Sequence, residues 1–237
     1  MRGENTTRTV QRRWRFILLE IRSRRTTSAV FGYRSKEFDG KKKDVSLLQT
    51  GESSDESSRY SCWERTHRRQ YGIVGWCFAE GARLHNEVEV VSVADYHIHP
   101  CTGCNRCFSN EDHVCVQNDD MALIYEKLRN TDTLVVASPV YFYGISAQLK
   151  AMIDRLHTPM RNSFSIRQLG LIMVGAATLQ DLFDPIVMQY QMICRFFNLE
   201  SIGTVLVSGA KEKGDVRHGD GMQCAFELGS RLNQKGS

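Results

Sequence analysis

From Glu87 onward, short apolar runs alternate with helical ones, and this alternation limits the fold more than any other feature of the chain. Val88, Val90, Val91 and Val93 read as a strand, Thr133–Ala137 as a second, Leu169–Val174 as a third and Ile202–Val207 as a fourth. The middle two are continuous apolar runs, which suits strands covered on both faces. Between them, Met121, Leu123, Ile124 and Leu128 follow Asp119-Asp120 at helical spacing, and Leu149, Ile153 and Leu156 do so after Ser146. Leu182–Phe197 reads as a long helix and Met222–Leu232 as a closing one. Strand and helix in strict alternation predict an α/β fold with a parallel sheet and helices on both faces.

Residues 1–76 lack this grammar. They carry 17 of the 31 Lys and Arg but 9 of the 27 Asp and Glu, so their charge is +8 against −4 for the rest. Arg12–Arg15, Arg22–Arg25 and Lys41–Lys43 are basic clusters, and Gly51–Ser61 is serine-rich. Trp14–Ile21 reads as one strand or helix turn, with no continuing apolar face. The segment is read as an irregular basic leader, disordered or mistranslated, ahead of a domain over residues 77–237. A basic arm also suits nucleic acid, but the origin argued below for this stretch leads us to expect no nucleic-acid partner. No apolar run approaches the ~20 residues of a membrane span, and none precedes a small-residue cleavage site. The expectation is a cytoplasmic protein without a membrane partner.

Four of the eight cysteines fall together as Cys101-x2-Cys104-x2-Cys107-x7-Cys115, and the other four are scattered. Two-residue gaps let thiolates converge from one loop, with Gly103 easing the turn. Three sulfurs so placed suit one face of an iron–sulfur cube, and the fourth closes it. Zinc and four free thiols beside a flat cofactor are the alternatives. His97 and His99 are substitute ligands or, more simply, solvated loop residues.

A second signal follows the Thr133–Ala137 run. Ser138, Pro139, Val140, Tyr141, Phe142, Tyr143, Gly144 and Ser146 leave the carboxyl end of a strand, where open α/β sheets bind ligands. Three aromatics with a glycine suit a flat ring, and the hydroxyls of Ser138 and Ser146 are candidates for its heteroatoms.

The run from Pro100 to Leu156 resembles the flavodoxin-like NAD(P)H-dependent FMN reductases, in particular their iron–sulfur flavoprotein branch. The likeness rests on Pro100–Cys104, Cys107, Cys115, Asp119–Met121, Ser138–Tyr143, Ser146–Lys150 and Asp154-Arg155. A weaker likeness runs from Phe78 to about Leu232. The resemblance implies a flavodoxin-like three-layer sandwich with strand order 2-1-3-4-5. It implies FMN over the Pro139–Ser146 loop, with Gly175 and Ala176 in the next ligand loop, and usually a homodimer. It implies NAD(P)H as hydride donor and a quinone, nitro compound, free flavin or redox partner protein as acceptor. In the iron–sulfur branch the cysteines hold a [4Fe–4S] cluster. The rival functions are an electron carrier without small-molecule turnover, a zinc-stabilised or cofactor-free binding module, and an inactive chain.

One family element is missing, which leaves the first strand doubtful. Relatives place a Gly-Ser-Pro-Arg…Gly-Asn-Thr phosphate loop before the first helix, whose remnant here is Phe78–Ala82. Where that loop belongs, near residues 59–72, the chain reads Arg59-Tyr60-Ser61-Cys62-Trp63-Glu64-Arg65-Thr66-His67-Arg68-Arg69-Gln70-Tyr71. Back-translating His67 to Ile73 and reading one base later permits Thr-Gly-Gly-Asn-Thr-Ala, and the same shift over Arg59 to Cys62 permits Gly-Thr-Pro. The hypothesis is a frameshift, which also accounts for the basic leader. Stops or unrelated residues in the shifted frame of the gene would refute it.

Overall fold

The computed structural model describes residues 15–20 and 70–232, with side chains for residues 70–232. The frameshift hypothesis, the basic clusters and most of the leader fall outside the described residues.

Five strands form one parallel sheet: β1 (Arg15–Glu20), β2 (Glu87–Ser92), β3 (Thr133–Pro139), β4 (Gln168–Val174) and β5 (Glu200–Val207), in the order β2-β1-β3-β4-β5. The doubtful first strand is therefore present, drawn from Trp14–Ile21. It sits centrally, with Phe16 opposite Val88 on one side and Thr133 on the other. Sequence reading marked this stretch as one strand or helix turn but left the first strand doubtful, because residues 21–69 separate it from its helix, where such folds place a short loop.

Among the described residues there are six α-helices: α1 (Gln70–Arg83), α2 (Arg106–Ser109), α3 (Met121–Arg129), α4 (Ala147–Asp154), α5 (Asp184–Phe197) and α6 (Gly221–Ser230). Helix α1 starts seven residues before the expected domain boundary, because the apolar face of Phe78 and Ala82 extends back through Val74 to Tyr71, all buried. Leu134 and Val136 of β3 and Leu169 and Leu171 of β4 line one cavity with residues of α4 and α5. Alternation turns Val135 to the opposite face of the sheet. Helices α1 and α6 pack against each other almost backbone to backbone. A Cβ on Gly81 would lie 2.1 Å from the Phe226 carbonyl oxygen, and one on Gly229 would lie 2.2 Å from that of Phe78.

Strands β3 and β4 end in register, Pro139 opposite Val174, so the loops that follow them leave the sheet side by side. No helix among the described residues is long and apolar enough to cross a membrane.

Candidate functional site

The first loop leaves β3. Val140 N–H donates to Val174 O (2.8 Å), tying it to the end of β4. Tyr141 and Gly144 exchange both backbone hydrogen bonds, at 2.9 and 3.0 Å, closing a two-residue turn. Its central residues, Phe142 (φ 48°) and Tyr143 (φ 62°), both stand in the left-handed region. Side chains other than Gly, Asn and Asp rarely go there, at a cost of roughly 1–2 kcal/mol each. Phe142 is 98% exposed, and Tyr141 and Tyr143 are about half exposed. Backbone strain and exposed aromatics thus coincide on one pinned turn at the carboxyl end of β3.

The two serines play another part than expected. Both are buried. Ser138 Oγ donates to Pro139 O (2.9 Å) and accepts from Ser146 N–H (3.1 Å), while Ser146 Oγ caps α4 by accepting from Leu149 N–H (3.4 Å). Their hydroxyls are committed to the loop's own frame and hold the aromatic turn in place, rather than facing a ring.

The second loop leaves β4. Gly175 is buried and Ala176 exposed. Gly175 N–H donates to Val207 O (2.7 Å) and its carbonyl accepts from Ala210 N–H (3.0 Å), so this loop is stitched to the one after β5. A Cβ on Gly175 would strike Leu182 Cδ2 at 2.6 Å. Leu182 therefore closes against the loop, and Val140, the aromatic turn's anchor, lies 3.4 Å from the same Cβ position.

The cysteines stand on the long connection from β2 to α3, with Cys107 on the short helix α2. Its base is bolted twice. His97 N–H donates to Asp120 Oδ2 (2.6 Å) and Asp120 N–H returns to His97 O (3.0 Å). His99 N–H donates to Asp119 Oδ2 (2.9 Å), and Gln117 Nε2 donates to Pro100 O (3.1 Å). Above the base, Gly103, Asn105 and His113 take left-handed backbone angles. Cys101 and Cys104 are exposed, Cys107 and Cys115 half-buried. Gly103 N–H donates to Cys101 Sγ (3.4 Å). The backbone amide of Arg106 and the hydroxyl of Thr102 hold the Cys104 thiol below its ordinary value. Four thiols on one loop, with amides already turned toward sulfur, are the donor chemistry that iron–sulfur clusters use. Among the described residues, no three His, Cys, Asp or Glu side chains converge as metal ligands.

Two residues that sequence reading noted only as a helix cap and as part of the family resemblance, Asp119 and Arg155, join at the base of this loop. Arg155, just past α4, pairs with Asp119, and the Asp119 and Arg155 side chains are 0% and 2% exposed. Burial opposes the Asp119 charge, but Arg155 and the amides of His99 and Met121 outweigh it and hold the carboxyl below its ordinary range. No sequence signal separated Arg155 from its neighbour Asp154, which pairs with Lys150 on the surface.

The family model for NADPH-dependent FMN reductase matches residues 61–192, more than half of the chain. The chain belongs to this family. It is therefore placed among NAD(P)H-dependent oxidoreductases. An iron–sulfur flavoprotein of Methanocaldococcus jannaschii is 35% identical over 159 residues, 62% of this chain and 79% of that protein. An iron–sulfur flavoprotein of Methanosarcina thermophila is 38% identical over 91 residues, 38% of this chain and 44% of that one. The solved NAD(P)H:quinone oxidoreductase of Methanothermobacter marburgensis superposes with a TM-score of 0.59 at 14% identity, covering 93% of this chain and 96% of its own. That likeness shows the flavodoxin-like fold.

Proposed function

We propose that this chain takes a hydride from NAD(P)H onto FMN held at the Tyr141–Tyr143 turn, and passes the electrons to a small acceptor or, one at a time, to a [4Fe–4S] cluster on Cys101, Cys104, Cys107 and Cys115. The single observation that carries this reading is the strained, pinned and exposed aromatic turn at the carboxyl end of a central strand.

FMN supplies a two-electron acceptor that can release electrons singly. The chain supplies position. Pro139 and Val140 carry the turn out along the end of β4, Tyr141, Phe142 and Tyr143 border the ring, and Gly144 closes the turn. Ser138 and Ser146 keep the turn from collapsing inward. Gly175 and Ala176 form the neighbouring wall. No side chain here is needed as a general acid or base. Each NAD(P)H oxidised yields two electrons and one proton, and reducing a quinone consumes two electrons and two protons, the second taken from solvent. The archaeal relatives are iron–sulfur flavoproteins, which supports the cluster as the one-electron outlet.

The test is an anaerobic preparation with FMN and iron counted per chain, followed by NADPH oxidation in the presence of a quinone. Flavin with steady turnover supports the reductase, and about four irons per chain with a broad ~400 nm band supports the cluster. A colourless chain without turnover overturns both. Sedimentation of the same sample tests the homodimer.

A further inference from the structure

We infer that Arg155 is a positioning residue for the cysteine loop, and that its buried, partnerless Nε–H is held for the sulfur on the Cys115 side of that loop. The inference rests on the cluster assignment for its second half only.

The first half follows from the contacts. Arg155 Nη1 bonds Asp119 Oδ2 and also donates to His99 O (3.3 Å). Asp119 in turn accepts from His99 N–H (2.9 Å) and Met121 N–H (3.2 Å). One guanidinium thus holds both limbs of the loop, the limb entering at His99 and the limb leaving at Asp119. The Arg155 backbone is itself fixed, because Tyr125 OH donates to its carbonyl (2.7 Å). A buried ion pair contributes little net stability but fixes a geometry.

The second half follows from what Arg155 leaves unused. Its Nε is buried and has no hydrogen-bond partner. Such an orphan is destabilising, and folded chains seldom keep one. Arg155 and Cys115 line the same cleft of about 370 Å³, with Asp119, Tyr125 and Met160. Arg129 lines it as well, but it is engaged by Glu126 at 2.7 Å and by Ser163 at 3.4 Å. Among the described residues, Arg155 Nε is the buried side-chain nitrogen without a partner, and Arg155 lines one cleft with a candidate ligand thiol. Hydrogen bonds to sulfur are a principal lever on cluster potential.

The test compares the full chain with Arg155→Lys, Arg155→Met and Asp119→Asn. In the metal-free protein, trypsin cleavage after Arg106 reads how firmly the loop is held, with far-UV circular dichroism confirming that each variant is folded. Arg155→Met and Asp119→Asn are expected to speed cleavage about tenfold, while Arg155→Lys, which keeps the charge, stays within about twofold of the parent. After anaerobic reconstitution with ferrous iron and sulfide, Arg155→Lys is expected to retain less than half of the parent's iron, or to hold it at a more negative midpoint potential. Parental cleavage rates in Arg155→Met and Asp119→Asn overturn the positioning role. Parental iron and potential in Arg155→Lys overturn the sulfur donor. A parent chain that takes up no iron overturns the sulfur donor together with the cluster assignment, and cleavage after Arg106 then decides the positioning role alone.

Discussion

Phe142 shows at a single position how function and stability pull apart. Its side chain is 98% exposed, so it gains little from packing, while its backbone stands at φ 48°. Replacing it with glycine removes the left-handed penalty but adds unfolded-state entropy, and the two nearly offset. Phe142→Gly should therefore leave the unfolding free energy of the FMN-free chain, read from urea titration, unchanged or raise it by up to about 1 kcal/mol, while weakening FMN binding in a fluorescence titration. A lower midpoint with unaltered FMN affinity would make the turn a packing device. Ser138 behaves in the opposite way, since its hydroxyl satisfies the buried Ser146 amide at 3.1 Å. Ser138→Ala should cost roughly 1–3 kcal/mol in the same FMN-free chain, the usual penalty for an orphaned buried donor. Asp119 adds a pH dependence. Its carboxyl is held below the ordinary 3.8, so its contribution is fully present above that value and is lost as pH falls through the lower folded-state value. Stability of the parent should drop more steeply than that of Asp119→Asn as pH falls below about 4, as followed by thermal melting. Parallel curves would show that the pair with Arg155 carries no such linkage.

At the level of elements, α4 is the part that joins the two sites. Its N-cap, Ser146, is part of the aromatic loop's frame, and Arg155 at its other end holds the cysteine loop. Eight residues of helix place these ends only ~12 Å apart. The α1–α6 contact is the other element on which the fold depends. Gly229 faces the Phe78 carbonyl so closely that a methyl group would sit 2.2 Å from its oxygen, and backbone cannot give way as a side chain can. Gly229→Ala should therefore cost about 1–3 kcal/mol, the range for overpacking, despite alanine's better helix propensity, and the denaturant midpoint will show it. Much of this architecture was legible beforehand. β3 and β4 announce themselves because strands buried on both faces must be continuously apolar, and the cysteine spacing and the aromatic loop stand out as residue types. The clamp was not legible, because Asp154 and Arg155 look alike in a string of letters and only the helix turns one outward and the other in. Strand β1 was half legible: Phe16–Leu19 has the composition, but a strand is recognised by the element it leads into, and that helix begins only at Gln70.

For the molecule as a whole, the decisive question is what holds the phosphate end of the cofactor. In the family the resemblance points to, a glycine-rich turn and the first helix N-terminus supply the amides. Here residues 52–71 contain no glycine. The helix opens on Gln70, whose side chain is already occupied, donating to Glu212 O and accepting from Val216 N–H (3.0 Å). The ring end, by contrast, has its loops built and pinned. Affinity should then come mainly from the isoalloxazine side, which FMN and riboflavin share. A charge-assisted hydrogen bond to phosphate is worth roughly 1.5–3 kcal/mol, and about 1.4 kcal/mol is tenfold in affinity, so an intact phosphate cradle would favour FMN by about a hundredfold or more. For this chain the expected preference, measured by quenching of flavin fluorescence, is within about tenfold. A hundredfold preference would show that the arginine-rich stretch before Gln70 grips the phosphate by charge rather than by backbone amides. The preference would then fall steeply with added salt, whereas a backbone cradle would hold it nearly constant.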